Sequence, residues 1–382
     1  MRHRAAPLVA ALVVVGGLSA ANHHWKPVAI GAKTISFYGV HQSGVETTRQ
    51  ANATFVAFDV KKGVDLDAVA RLMRVWSADA AHLTQGESII GDSQPQMAEN
   101  PARITVTFGF GRSLFTKLNR EDLWPIAETS IPSFPIDKFE GRWDGGDLLV
   151  QVAGDNPIAI FHTEHELVRE AAPFASVLWQ QRGFVDASGI NEGAVSRNLM
   201  GQIDGTLNAA PFTPEFAKTV WGGPVGEGTI LVIRRIRMSL DTWDKLSPLR
   251  KEQSLGRKLE DGAPLNGGGP TASLIPTAAP SPGATEIAHD AHVRRALADA
   301  SNSIVRRGWN YDDGYLADGT HDVGLIFTSF QSNLSSYLKI QGSLAEQDAL
   351  NRWTTPVGSA LFVLPEGVSE GEWVGHELLS DQ

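Results

Sequence analysis

The chain has 382 residues, 42% hydrophobic and 20% charged, with 38 Gly and 20 Pro, a globular composition long enough for two average domains and unlike a disordered or fibrous protein. Its formal charge of −10 provides no basic field for a phosphate backbone, which argues against sequence-independent nucleic-acid binding. The absence of Cys excludes disulfides, thiolate nucleophiles, Cys-bound zinc, iron–sulfur clusters and thiolate-ligated haem, so any metal must sit on His, Asp or Glu.

The first 25 residues read as an export signal. Arg2, His3 and Arg4 give a basic start, Ala5 to Gly17 is small and apolar, and Ser19-Ala20-Ala21 offers the small residues that a signal peptidase needs. An uncleaved anchor is the alternative, but about 16 apolar residues fall short of the ~20 that span a bilayer. Cleavage near Ala21 is therefore expected, with the mature protein periplasmic, at the cell surface or extracellular.

Beyond the signal, Ala53 to Val60 is strand-like, and Asp65 caps a helix with Leu66, Val69, Leu72, Met73 and Trp76 at helical spacing. Arg103 to Phe110 alternates as a strand, Leu148 to Val152 follows as another, and Thr163-Glu164-His165-Glu166 reads as the start of a second helix. A second unit echoes this plan. Its long strand, Gly228 to Met238, leads into a helical segment around Thr242 to Leu259, and Pro264 to Gly283 reads as a surface loop. Val323 to Phe330 is a further strand, Asn333 begins a helix running to Leu350, and Ser359 to Leu364 closes the sheet. The economical architecture is α+β, two ferredoxin-like domains with antiparallel sheets, at residues 34–215 and 216–376.

Three polar clusters carry the chemistry. In Arg197-Asn198-Leu199-Met200-Gly201-Gln202-Ile203-Asp204-Gly205-Thr206 an acid sits between glycines that permit a close approach to a flat ligand, or it makes a plain Asp-Gly turn. His289 and His292, three apart, either share a helix face and ligate one metal or are ordinary surface or core histidines. Arg306 and Arg307 beside Trp309 and Tyr311 form either a solvated cation–π face or an anion clamp.

Together, the order and wording of these clusters resemble the dye-decolourising peroxidase family, in its exported, deferrochelatase-like branch. The resemblance rests on Gly201-Gln202-Ile203-Asp204-Gly205-Thr206, His292-Val293-Arg294 and Arg306-Arg307-Gly308-Trp309. It extends through Phe37 to Gln42, Arg234 to Met238, Gly262 to Leu265 and Gly324 to Phe327, nearly the whole mature chain. It implies a fold of the dimeric α+β barrel type, with haem b in the second domain and His292 as the iron ligand. Asp204 becomes the distal acid, Arg306 the distal arginine, and Leu325 and Phe327 an apolar wall, for which ordinary core packing is the alternative. Arg294 and Arg295 are candidates for the haem propionates. Two features depart from the pattern: no adjacent arginine pair stands in the signal, and Leu297-Ala298-Asp299 replaces the usual Asn-Pro-Arg. The acid that should orient the other ring nitrogen of His292 is not evident from the sequence.

The implied partners are hydrogen peroxide and an aromatic or other one-electron donor. A carboxylate at Asp204 would serve as general base and then general acid, and because an ordinary Asp titrates near ~3.9, an acidic optimum is expected. Arg306 would stabilise the charge on the departing oxygen. A narrow pocket would exclude bulky donors, leaving Trp243, Trp309, Tyr311, Tyr337 and Trp353 as candidate relays to the surface. A second function class, an exported haem carrier or iron-acquisition protein, needs no such base and arginine.

Overall fold

The computed structural model describes residues 30–187, 196–271, 274–299, 301 and 303–379; the expected signal lies outside them. Among the described residues no helix is long and apolar enough to cross a membrane. In the first half, β1 (Asn52–Val60), β2 (Thr105–Phe110), β3 (Leu148–Gly154) and β4 (Ala175–Phe184) pair antiparallel in the order β2-β3-β1-β4. The crossovers are α1 (Leu66–Thr84) and α3 (Pro157–Ala171), with a short α2 (Arg112–Lys117) after β2. The second half repeats that order as β9-β5-β8-β7, from β5 (Thr229–Met238), β7 (Trp309–Tyr315), β8 (His321–Gln331) and β9 (Thr354–Leu364). Two-residue β6 (Val305–Arg306) adds to β8.

Two single-residue junctions, Phe110 with Val363 and Phe184 with Asn310, join the halves, and the long β5–β8 pairing completes a closed ring. Closure leaves inner and outer faces, and strand alternation sorts side chains between them. Phe55, Trp179, Leu231, Ile233, Trp309 and Ile326 fill the interior from both halves. Outside the first half, α1 and α3 cover a packed core in which Trp76 stacks on Phe108 at 5.4 Å. The matching layer of the second half is partly hollow.

Local signals explain the helix ends. Asp65 accepts from the Ala68 N–H at 2.8 Å, as its capping position predicts. The second helix starts earlier than expected: Asn156 caps α3 and Pro157 occupies its first position, which leaves Thr163 to Glu166 in mid-helix. The segment around Thr242 to Leu259 is two short helices, α5 (Leu240–Trp243) and α6 (Pro248–Leu255), because Ser247-Pro248 starts a new helix. Ahead of β5 lies α4 (Pro214–Val220); α7 (His292–Ala296) and α8 (Leu334–Gln347) complete the chain, and α8 gives way at Asp348 to a 3₁₀ turn instead of reaching Leu350.

Ring closure depends on close approach at Gly324, where a Cβ would stand 2.0 Å from the Ile236 carbonyl oxygen. Gly342 in α8 has nothing within 4 Å of that position. In urea unfolding, Gly324→Ala should cost about 1–3 kcal/mol by overpacking, whereas Gly342→Ala should be neutral or stabilising by about 0.5–1 kcal/mol. Equal effects would contradict this account of closure.

Candidate functional site

The hollow layer is a cavity that opens to solvent. Strand side chains Arg234, Ile236 and Met238 of β5 and Leu325 and Phe327 of β8 bound it on the sheet side, and α7 and α8 contribute His292, Tyr337, Ile340 and Leu344. Register sets Arg234 beside Phe327 and Ile236 beside Leu325. Leu325 and Phe327 line the cavity while Ile326 between them packs in the barrel interior.

Asp204 reaches the cavity from a tight loop. Arg197 bridges to Ile203, the Asn198 side chain accepts from the N–H groups of Met200 and Gln202 at 3.0 and 3.1 Å, and Gly201 takes a φ of 79° that favours glycine. Trp243 fastens the loop by donating Nε1–H to the Met200 carbonyl at 3.0 Å. The result is more than a solvated turn, since Asp204 Oδ1 meets Arg306 Nη2 at 3.0 Å. No described residue hydrogen-bonds Asp204 Oδ2.

Arg306 and Arg307 part company because they are neighbours on an extended segment. Arg306 turns to the cavity, and its backbone is pinned by Asn208, which donates to the Arg306 carbonyl at 2.7 Å and accepts from its N–H at 3.1 Å. Arg307 is buried on the other side, donating to the carbonyls of Val45 and Thr47 at 2.8 and 2.5 Å. Burial, with the Arg49 and Arg103 charges, lowers Arg307 to about 9. Gly308 allows the close fit: a Cβ there would lie 3.0 Å from both Asp204 Oδ2 and Leu325 Cδ1.

The histidine pair does not share a helix face. His292 opens α7, whereas His289 lies in the turn before it and does not line the cavity. His292 Nδ1–H donates to Asp348 Oδ2 at 2.6 Å, and no described residue hydrogen-bonds Nε2. Asp348 is the orienting acid that sequence reading missed. It ends α8 and caps the following turn by accepting from the Leu350 N–H at 2.9 Å; a capping pattern was readable there, but nothing local links it to a histidine 56 residues away. Arg294 and Arg295 stay outside the lining: Arg294 donates to the Ile287 carbonyl at 2.7 Å, and Arg295 pairs with Glu346 at 2.8 Å. Of the candidate relays, Trp243, Trp309, Tyr311 and Tyr337 are fully buried, and half-buried Trp353 meets Trp243 edge-on at 5.2 Å.

Residues 42–185 match the Dyp-type peroxidase N-terminal domain family, and residues 195–369 match the Dyp-type peroxidase C-terminal family. The chain belongs to the DyP-type peroxidase family. It is 36% identical to the dye-decolorizing peroxidase of Thermobifida fusca over 361 residues, 88% of this chain and 83% of that one. It is 29% identical to the deferrochelatase of Escherichia coli O157:H7 over 382 residues, 92% of this chain and 89% of that one. The crystal structure of a DyP-type peroxidase from Streptomyces coelicolor superposes with a TM-score of 0.88 at 34% identity, covering 93% of this chain and all of that one. The ferredoxin-like α+β fold and peroxidase activity follow from this membership.

The family binds haem, and the residues here fit it. The cavity has an apolar wall for a macrocycle, an imidazole whose free nitrogen suits iron, and buried cations suited to carboxylates. Adding a methyl group at Gly308 tests how closely the distal groups are placed. Gly308→Ala should lower peroxide-dependent turnover roughly tenfold by displacing Asp204 with an unchanged thermal midpoint, and unaltered turnover would show that the carboxylate tolerates the shift.

Proposed function

We propose that this protein is an exported, haem b-dependent peroxidase that reduces hydrogen peroxide and oxidises dyes, phenols or other one-electron donors. The observation that carries this reading is the convergence of Asp204, Arg306 and His292 on one cavity, with the Asp204–Arg306 pair at 3.0 Å. Export is supported by the basic start at Arg2 to Arg4, the apolar run and Ser19-Ala20-Ala21.

When bound, haem would supply the redox-active iron for peroxide reduction. His292 Nε2 is the atom that would hold it, because Nδ1 is engaged by Asp348, and a carboxylate behind a ligating imidazole raises the ligand's basicity. Asp204 Oδ2 takes the proton from one peroxide oxygen and returns it to the other. Arg306 fixes that carboxylate through Oδ1, and its guanidinium stabilises negative charge on the departing oxygen. Leu325 and Phe327 keep the space over the reacting atoms small, so bulky donors are oxidised from the surface. Half-buried Trp353 against Trp243 is one such route.

The deferrochelatase relatives support a second reading, in which the cavity handles haem for its iron with little peroxide turnover. A fixed acid beside a guanidinium favours the first, since a carrier has no use for it. Steady-state oxidation of a phenolic donor by the haem-loaded protein separates them. Asp204→Ala should lose about 10²–10⁴-fold in peroxide-dependent rate and Arg306→Leu about 10²–10³-fold, both with full haem content. Turnover unchanged in both variants would remove these residues from the mechanism, and a haem-loaded wild type without turnover would favour the carrier.

A further inference from the structure

We propose that Arg257 anchors the occupant of the cavity by pairing with a haem carboxylate, the role that local sequence pattern had suggested for Arg294. The proposal rests on the haem reading above and adds a binding residue to it.

Among the other polar side chains that line the cavity, Asp204 pairs with Arg306 at 3.0 Å, and the Asp348 carboxylate accepts from the His292 imidazole at 2.6 Å. Arg234 pairs with buried Asp137. Arg257 alone forms no ion pair with any described residue. Its Nη1 donates to two neutral carbonyls, Gly262 at 2.6 Å and Pro270 at 3.3 Å, and its buried Nη2 has no partner among the described residues. The residue is only 7% exposed, and a buried charge without a counter-charge is costly. Burial and the charge of neighbouring Arg306 lower it to about 10. A protein that keeps a guanidinium in this setting is matched to an anion brought by its ligand. Haem b has two carboxylates on an otherwise apolar disc, and guanidinium forks suit carboxylates.

The surroundings hold Arg257 in a fixed relation to the imidazole. Gly256, with a φ of 81°, ends α6 so close to α7 that a Cβ would lie 2.5 Å from Val293 Cγ1, one residue after His292. Arg257 itself bridges to Pro264, which fastens it to the Gly262–Leu265 turn. Arg294 offers no such site, because its guanidinium is directed to the Ile287 carbonyl and to Glu286.

Titration of the apo-protein with haem b and with its dimethyl ester, followed by the Soret band, tests the assignment without any turnover. Wild type should bind haem b at least about tenfold more tightly than the ester, as a charge-assisted contact requires. Arg257→Gln should lose most of that preference by weakening haem b alone, and Arg257→Lys should retain part of it. Equal weakening toward both ligands would mark a structural role through Gly262 and overturn the proposal, as would a wild type indifferent to esterification. A wild-type protein that binds neither ligand would instead overturn the haem reading.

Discussion

A single hydrogen bond, from His292 Nδ1 to Asp348, decides what the cavity can hold. It engages one ring nitrogen against a carboxylate and leaves the other as a lone-pair donor, the form in which imidazole binds iron. The bond joins the first residue of α7 to the residue that ends α8, so it also sets the spacing of two helices on the rim. Asp348 holds its position for a separate reason, since its second oxygen caps the turn that follows. The ligand's orientation is thus a by-product of how α8 stops.

The fold supplies the space by treating its two halves differently. Both carry the strand order of a ferredoxin-like unit, and both contribute their inner faces to one barrel interior. Outside the first half, Trp76, Phe108 and their neighbours fill the layer between sheet and helices. Outside the second half, β5 runs from core residues Ile230 and Val232 to cavity residues Arg234, Ile236 and Met238 on the same face. The same alternation sends Arg306 into the cavity and Arg307 into packing against the first half. One architecture therefore yields a stabilising core on one side and a binding site on the other.

Much of this was legible in the sequence, and the limits have physical causes. The strands β1, β2, β3, β5, β8 and β9 were legible as apolar or alternating runs, while β4 escaped because Val177, Leu178 and Phe184 face solvent beside Ser176, Gln180 and Arg182, which spoils the alternation. Trp309 to Tyr311 read as a cluster beside two arginines and proved to be the start of β7. Asp204, His292, Arg306, Leu325 and Phe327 were found because each lies in a short motif, and the chain folds so that all five line one cavity. Asp348 and Arg257 were not, because their significance comes from partners distant in sequence or from the lack of one. Arg294 shows the converse: its guanidinium made it, with Arg295, a candidate for the haem propionates, yet it turns to Ile287 and Glu286.

The central claim is that the His292 imidazole holds haem iron in this cavity. Its most direct test is the absorption spectrum of the haem-loaded protein beside that of His292→Ala, with and without added imidazole. The account predicts a Soret band in wild type that is shifted or lost in the variant and restored by imidazole entering the vacated space. Identical spectra for the two proteins, unaffected by imidazole, would contradict it.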